Sequence, residues 1–395
     1  MKAMGQSIYS TKLETSKKQE KFQITSQKQQ KIHYNYTLPP DGIPPGGRLK
    51  HYIKAWKETI PYAWAWSVIE HGYKLQFEKK PVPWRVKPFQ LSPTDQQAVD
   101  EAVEQFKIAG VIEPSSTQGK SFLSQFFTVT EPTKIRSILD CRQINQFLQC
   151  HHFKMEGIPA LRDMLEEKDY MVKIDLKDAY IVVPIHKDSR KFLTFQHQGT
   201  VYQYQFLPFG LSVAPRLFSK LMRFALEPLR QRGIRLVYYL DDICLVSKTR
   251  QEMNRISQIV VDHLKKLGFI INEKKSDLNP KQIQDFLGFT FNTQTMTITA
   301  PQTKLNKLIS KIKQLEKSQQ ETFSCRWIAG LLGKMTSLIP AIGQTLLHMR
   351  YLQRDLAVNL RRQQYHWDKP CKISTLAWKE LHWWKTQAMG VNGQP

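Results

Sequence analysis

The sequence predicts an α+β fold: an antiparallel sheet backed by two helices, followed by a basic helical region. Three observations carry this. Short β-prone runs alternate with helical patterns through the middle of the chain. Two of those runs flank a pair of acids in Val237-Tyr238-Tyr239-Leu240-Asp241-Asp242-Ile243-Cys244-Leu245-Val246, the signature of a tight hairpin with the acids at its tip. Amphipathic stretches lie on either side of it, Leu217, Phe218, Leu221, Met222 and Ala225 before and Met253, Ile256, Val260, Leu264 and Leu267 after.

Taken in order, residues 1–36 hold seven Lys against two Glu and read as a disordered basic tail. Residues 37–91 begin with Pro39, Pro40, Gly42, Pro44, Pro45, Gly46 and Gly47, a linker that neither helix nor strand crosses. Trp56, Trp64, Trp66 and Trp84 follow, so this N-terminal extension is expected to pack on the next unit. Ser92-Pro93-Thr94-Asp95 starts a helix with a hydroxyl cap, Pro in the first position and an acid in the first turn, and Gly110 ends it. Residues 121–146 read as strand. Val172 and Ile174 flank Lys173 in strand alternation, and the runs 191–195 and 201–206 form a hairpin split by Gln198-Gly199-Thr200. Helices dominate from 303 to 363, and residues 301–395 carry 15 basic against 5 acidic side chains.

Composition narrows the class. Apolar residues are 41% of the 395, enough for a large core, so whole-chain disorder is excluded. Lys and Arg number 58 against 34 Asp and Glu, a formal charge of +24 that favours a polyanionic partner, nucleic acid first. Five scattered cysteines without a CxxC pair indicate neither a disulfide frame nor a zinc ribbon. No signal-type apolar core and no bilayer-length apolar stretch occur, so an intracellular, non-membrane protein is expected, with nucleus and cytoplasm both open.

Two acids at a hairpin tip are, by themselves, most often a polar turn. Asp175 changes that weighting, because it closes the strand-like run Met171-Val172-Lys173-Ile174-Asp175. If the two strands are neighbours, the carboxylates meet at one sheet edge. There they repel unless a cation intervenes. Hard oxygen donors with open positions suit Mg²⁺. Two such ions about 3.5–4 Å apart serve in-line phosphoryl transfer, one activating a 3′ hydroxyl and the other holding a triphosphate.

Here the residues resemble a known family. Tyr239-Leu240-Asp241-Asp242 is similar to the YxDD box of reverse transcriptases, and Asp175 with Tyr180 to their first palm motif. Leu207-Pro208-Phe209-Gly210-Leu211-Ser212-Val213-Ala214-Pro215 resembles the next, and Arg136 through Asn145 the fingers motif. Gly268 through Lys274-Lys275, and Phe286-Leu287-Gly288-Phe289, resemble the later palm motifs. All stand in the family's order. Gly46-Gly47-Arg48-Leu49, Ile112-Glu113-Pro114, Phe153-Lys154-Met155-Glu156 and Asp175–Tyr180 narrow the likeness to DIRS-like, tyrosine-recombinase retrotransposons. Gypsy-type LTR elements share the Pro-Phe-Gly-Leu box and are the second reading.

The resemblance implies a right-hand polymerase fold: fingers and an antiparallel-sheet palm over 92–295, a helical thumb over 296–365, and a connection over 366–395 leading to an RNase H domain that these residues do not include. No RNase H activity is expected of them. It implies RNA-directed DNA synthesis on an RNA template, with a DNA primer or RNA–DNA hybrid, deoxynucleoside triphosphates and two Mg²⁺ ions, or Mn²⁺ in their place. Asp175 and Asp241 would be metal ligands, with Asp242 a nearby third carboxylate and the Leu176 carbonyl completing one shell. Lys275 would protonate the leaving pyrophosphate, with Lys274 the adjacent alternative. Arg136 would stack on the incoming base and reach its phosphates. Asp178 and Ala179 would offer backbone amides to phosphate. Tyr180 would be the steric gate against a ribose 2′ hydroxyl. Phe209 and Gly210 would floor the nucleotide pocket, with Phe209 replacing the Gln of retroviral enzymes. Leu287 and Gly288 would belong to the primer grip. The fingertip Thr130-Glu131-Pro132-Thr133-Lys134 departs from the usual basic turn, which leaves open a degenerate protein that binds nucleic acid without extending it. For Lys304, Lys307, Lys311 and Lys313, duplex tracking and a solvated helix face weigh equally.

Overall fold

The structure is a computed structural model that describes residues 39–86, 91–115, 122–131, 134–317 and 323–393. The basic tail expected over 1–36 lies outside them. So do fingertip residues 132–133 and the side chain of Lys134.

The centre is an antiparallel sheet built on the strand Tyr170–Lys177. Asp242–Ser247 pairs with one edge of that strand, and Arg235–Tyr239 pairs in turn with Asp242–Ser247. On the other edge two short strands share the pairing. Ile270–Ile271 covers the end at Leu176 and Lys177, and Asp277–Lys281 covers Met171 and Lys173.

Strand periodicity divides the sheet into two faces. Val172, Ile174, Leu176, Leu236, Tyr238, Ile243 and Leu245 point into one core. The helices Ala214–Gln231 and Arg250–Lys266 back this face, as the amphipathic runs predicted. Thr249 caps the second helix, its side chain accepting from the Glu252 N–H at 3.2 Å. Met171, Val237, Cys244 and Val246 point the opposite way, into a second core shared with the C-terminal helices. Lys173, Asp175 and Asp242 lie on that second face, where its apolar cover ends.

The fingers combine a mixed sheet with a projecting hairpin. The sheet runs Trp84–Arg85, Phe122–Ser124, Thr194–His197, Thr200–Tyr204, Ile112–Pro114, and the hairpin pairs Phe126–Glu131 with Lys134–Leu139. The helix Pro93–Ile108 forms with the expected cap: Ser92 Oγ accepts from the Asp95 N–H at 3.1 Å. The strand expected over 121–146 stops early, because Arg142–Asn145 closes a helical turn.

Two segments pack more tightly than their composition suggested. The Pro/Gly stretch read as a linker is buried at its end. The Gly47 N–H donates to Ile181 O at 2.8 Å, and a Cβ on Gly46 would lie 2.6 Å from the Phe206 ring. Leu49, Trp56, Ile60 and Ile69 behind it are fully buried, each contributing about 1.5–3 kcal/mol on burial. Trp56 Nε1 donates to Leu267 O at 2.8 Å, and Tyr62 stacks on Phe224 with ring centroids 4.0 Å apart. The extension is therefore part of the palm core.

The C-terminal segment is likewise packed into a core. Thr375–Thr386 shares a core with Gln302–Lys317, Cys325–Thr336 and Arg350–Arg362. Trp384 is fully buried and donates to His348 O at 2.7 Å. Among the described residues no helix is long and apolar enough to cross a membrane.

Candidate active site

The antiparallel register makes Asp242 the direct cross-strand partner of Asp175. The two-residue loop between the hairpin strands is Leu240–Asp241, so Asp242 opens a strand instead of sharing the tip. Leu240 takes φ +55°, the left-handed value that a primed hairpin turn demands at its first position. Such a conformation costs a non-glycine residue about 1–2 kcal/mol. It sets Asp241 beside the strand that carries Asp175, and Leu176 N–H donates to Asp241 O at 2.8 Å.

Asp175 is 5% exposed. Burial is the first cause raising the Asp241 carboxyl above its ordinary value, and the charges of Asp242 and Asp175 add to it. Its own backbone N–H and Lys275 oppose the rise. Those mutual influences put Asp175, Asp241, Asp242 and Lys275 in one neighbourhood.

Asp242 has a companion that the sequence reading did not single out. Lys173, two residues before Asp175 on the same strand face, reaches Asp242 Oδ1 at 2.9 Å. Among the described residues no three His, Cys, Asp or Glu side chains are gathered tightly enough to cage an ion. The carboxylate oxygens present are nevertheless a hard donor set under like-charge repulsion, the chemistry that Mg²⁺ or Mn²⁺ relieves.

The next residues turn sharply. Asp178 sits at φ +56°, a region that Asp tolerates. Burial raises its carboxyl, opposed by Lys177, and Oδ2 has no hydrogen-bond partner among the described residues. Ala179 and Tyr180 are each 9% exposed. The Tyr180 ring leans on Phe209 at 5.0 Å between centroids and meets Phe218 edge-on at 5.7 Å. Phe209 itself is 46% exposed, so the pair forms a wall with one open side.

Gly210 closes that wall at φ +101°, where a Cβ would lie 2.7 Å from Leu139 O. Asn145 clamps the same loop: its Nδ2 donates to Gly210 O at 2.9 Å, and its Oδ1 accepts from Ser212 N–H at 2.9 Å. Arg136 lies exposed on the fingers hairpin opposite Val129.

Leu287 and Gly288, at φ +49° and +74°, turn the chain between Ile283–Phe286 and Phe289–Asn292. Lys304 donates to Gly288 O at 2.9 Å and lies 4.3 Å from the Phe289 ring centroid. Lys311 lies over Trp327 at 4.8 Å. Lys307 and Lys313 are exposed.

Residues 124–291 match the family described as reverse transcriptase (RNA-dependent DNA polymerase). The matched stretch is a little under half of the chain. Over 234 residues, 56% of this chain, it is 30% identical to the Gag-Pro-Pol polyprotein of Human T-cell leukemia virus 2. Over 231 residues, 58% of this chain, it is 24% identical to the Transposon Tf2-3 polyprotein of Schizosaccharomyces pombe. The chain spans only 16% of the length of either polyprotein. Among solved structures, a foamy viral protease-reverse transcriptase with double-stranded DNA superposes over 88% of this chain and 60% of its own, with TM-score 0.64 and 17% identity. The same viral protein with an RNA/DNA hybrid covers 88% of this chain and 46% of its own, with TM-score 0.62 and 17% identity. The chain thus has a right-hand polymerase fold of fingers, palm and thumb.

Proposed function

We propose that this chain is an RNA-directed DNA polymerase of a retrotransposon, adding deoxynucleotides to a primer 3′ end. The observation that carries the reading is the pairing of Asp175 with Asp242 across the palm, with Asp241 in the adjoining turn. Two distant stretches of chain thereby deliver acids to one sheet edge.

Asp175 and Asp241 would hold divalent ions, Mg²⁺ or Mn²⁺, with substrate phosphates and the Leu176 carbonyl supplying further oxygens. Bound there, the ions would supply Lewis-acid activation of the primer hydroxyl and screening of the triphosphate. Asp242, held by Lys173, balances charge beside them. The Asp178 and Ala179 amides and Arg136 orient the triphosphate. Tyr180 fills the space beneath C2′, and Phe209 with Gly210 supports it. Lys275 gives a proton to the departing pyrophosphate. Leu287 and Gly288 seat the primer end.

The partners are an RNA template and a primer duplex, in keeping with the +24 charge and with the nucleic acids bound by the foamy viral proteins. The DIRS-like assignment rests on the Gly46–Leu49 and Asp175–Tyr180 motifs. The likeness to a transposon polyprotein keeps the gypsy-type reading alongside it. A tyrosine-recombinase gene beside the coding region would decide for the first, and an integrase with long terminal repeats for the second.

Primer extension on an RNA template with deoxynucleotides and Mg²⁺ tests the activity, with Asp241→Asn as control. Extension that the variant loses supports the polymerase. Tight binding of primer–template with no extension by either protein means a degenerate binding protein instead.

A further inference from the structure

The central strand has an unusual break in its pairing. On the edge away from the acidic hairpin, Ile270–Ile271 pairs at Leu176 and Lys177, and Asp277–Lys281 pairs at Met171 and Lys173. Asp175 falls in the gap between them. A backbone group left without a strand partner in a part-buried position must find another. The five residues that bridge the gap, Asn272 to Ser276, supply it. Asp175 N–H donates to Ser276 Oγ at 3.0 Å, and Asp175 O accepts from Asn272 N–H at 2.8 Å.

Asn272 then makes a third bond, to the carboxylate itself: its Nδ2 donates to Asp175 Oδ1 at 2.8 Å. Its own carbonyl accepts from the N–H groups of Lys275 at 3.1 Å and Ser276 at 2.9 Å, so the same residue folds the turn that carries Lys275. One side chain and its backbone therefore fix both Asp175 and the segment bearing the proposed proton donor.

We infer that Asn272 is the positioning residue of this site: its amide fixes one oxygen of Asp175, sets the carboxylate's rotation, and so tunes how strongly the site takes a divalent cation. The inference rests on the metal-dependent reading above. A carboxylate ligand freed from its supporting hydrogen bond must be ordered by the ion at the moment of binding, and such supporting contacts are worth about 10–100-fold in metal affinity or activity.

The test uses Mn²⁺ as probe and the full chain with primer–template bound. Free Mn²⁺ is followed by electron paramagnetic resonance as it is titrated in, for the unaltered protein, Asn272→Ala and Asp241→Asn. Asn272→Leu, close in volume and without the donor, carries the test if the alanine variant fails to fold. Thermal midpoints and primer–template affinity are measured alongside. We expect Asn272→Ala to raise the Mn²⁺ concentration for half-occupancy about tenfold or more, with duplex affinity unchanged. In extension assays the metal half-saturation should move by the same factor while the nucleotide KM at saturating metal stays put, a split that simple destabilisation would not produce. If Asp241→Asn weakens Mn²⁺ binding but neither Asn272 variant shifts it beyond about twofold, Asn272 has no positioning role and the metal reading stands. If Asp241→Asn leaves Mn²⁺ binding unchanged, the metal reading fails and this inference fails with it.

Discussion

Replacing Gly210 by alanine isolates a close approach beside the proposed nucleotide pocket. A Cβ at this position would stand 2.7 Å from Leu139 O and 3.7 Å from Cys141 Sγ. The nearer atom belongs to the backbone of a fingers strand and cannot swing aside. Two costs combine. A side chain forced to φ +101° occupies a sparsely populated region at about 1–3 kcal/mol. Displacing packed backbone adds about 1–3 kcal/mol, as for other small-to-large changes in tight sites. The sum, about 2–6 kcal/mol, is a large part of the 5–15 kcal/mol typical of folded proteins. Gly199 supplies the control: it has φ +81° in a hairpin, and nothing lies within 4 Å of its would-be Cβ. Gly199→Ala therefore carries only the conformational cost.

Urea unfolding followed by tryptophan fluorescence reads both variants. Gly210→Ala should lose about 1–3 kcal/mol more than Gly199→Ala. The excess should also appear at the site, because any shift of Gly210 strains its 2.9 Å bond from Asn145 and moves Phe209 from under Tyr180. The nucleotide KM should then rise in Gly210→Ala and not in Gly199→Ala. Equal destabilisation by the two alanines would refute the close-approach reasoning, since the Leu139 carbonyl is present at only one of the two positions.

Other consequences are as direct. Tyr180→Ala removes the ring between Phe209 and Phe218, so ribonucleotide incorporation relative to deoxyribonucleotide should rise about tenfold or more, or 1.4 kcal/mol of barrier; unchanged sugar selectivity would remove the gate assignment. Lys304→Ala severs the thumb's bond to the Leu287–Gly288 turn, a half-buried contact worth about 1 kcal/mol, so nucleotides added per binding event should fall roughly fivefold in a trap-challenged extension assay. An undiminished product length would sink that link. Arg48 holds the Asp41 carboxyl well below the usual range, with Tyr52 and the Ile43 N–H contributing and burial opposing. A depressed carboxyl stabilises fully above its unfolded value near 4 and loses that contribution as pH falls through the folded value. The stability gap between the unaltered protein and Arg48→Met should therefore narrow between pH 5 and 2 in thermal melts; a constant gap would exclude the ion pair as its source.

Much of the palm was legible because strand alternation and helix periodicity are local signals. Val172 and Ile174 about Lys173, and the two amphipathic helices, form where the spacing put them. The hairpin was legible too, but its turn was displaced by one residue. Two acids are a conventional turn signal, whereas the residue that bends here is Leu240 at φ +55°, which no propensity would choose. The Pro/Gly stretch is legible only in part. Glycines mark flexible linkers and also close contacts, and only the Phe206 ring lying against Gly46 and Gly47 tells which applies. The packing of the C-terminal helix is not legible, because its tryptophans carry no address. It depends on Trp384 meeting His348, 36 residues away.

What stayed hidden around the acids has one physical cause. Asn145, Lys173, Asn272 and Ser276 are ordinary polar residues whose importance lies in what they touch. Lys173 matters because period-two alternation puts it on the face of Asp175, and the register then sets Asp242 diagonally beside it. That cation, with Lys275 beside Asp241, opposes the crowding of three acids at one end of the sheet. Asn272 and Ser276 matter because the neighbouring strand breaks opposite Asp175. A continuous edge strand would have satisfied the Asp175 N–H without the Ser276 hydroxyl. The break exposes one residue of the strand to a turn that can grip it from three directions, and the gripped residue is the acid. The interruption thus trades one ladder hydrogen bond, from the Asp175 N–H, for the Ser276 hydroxyl, within the same turn that brings the Asn272 amide to the carboxylate.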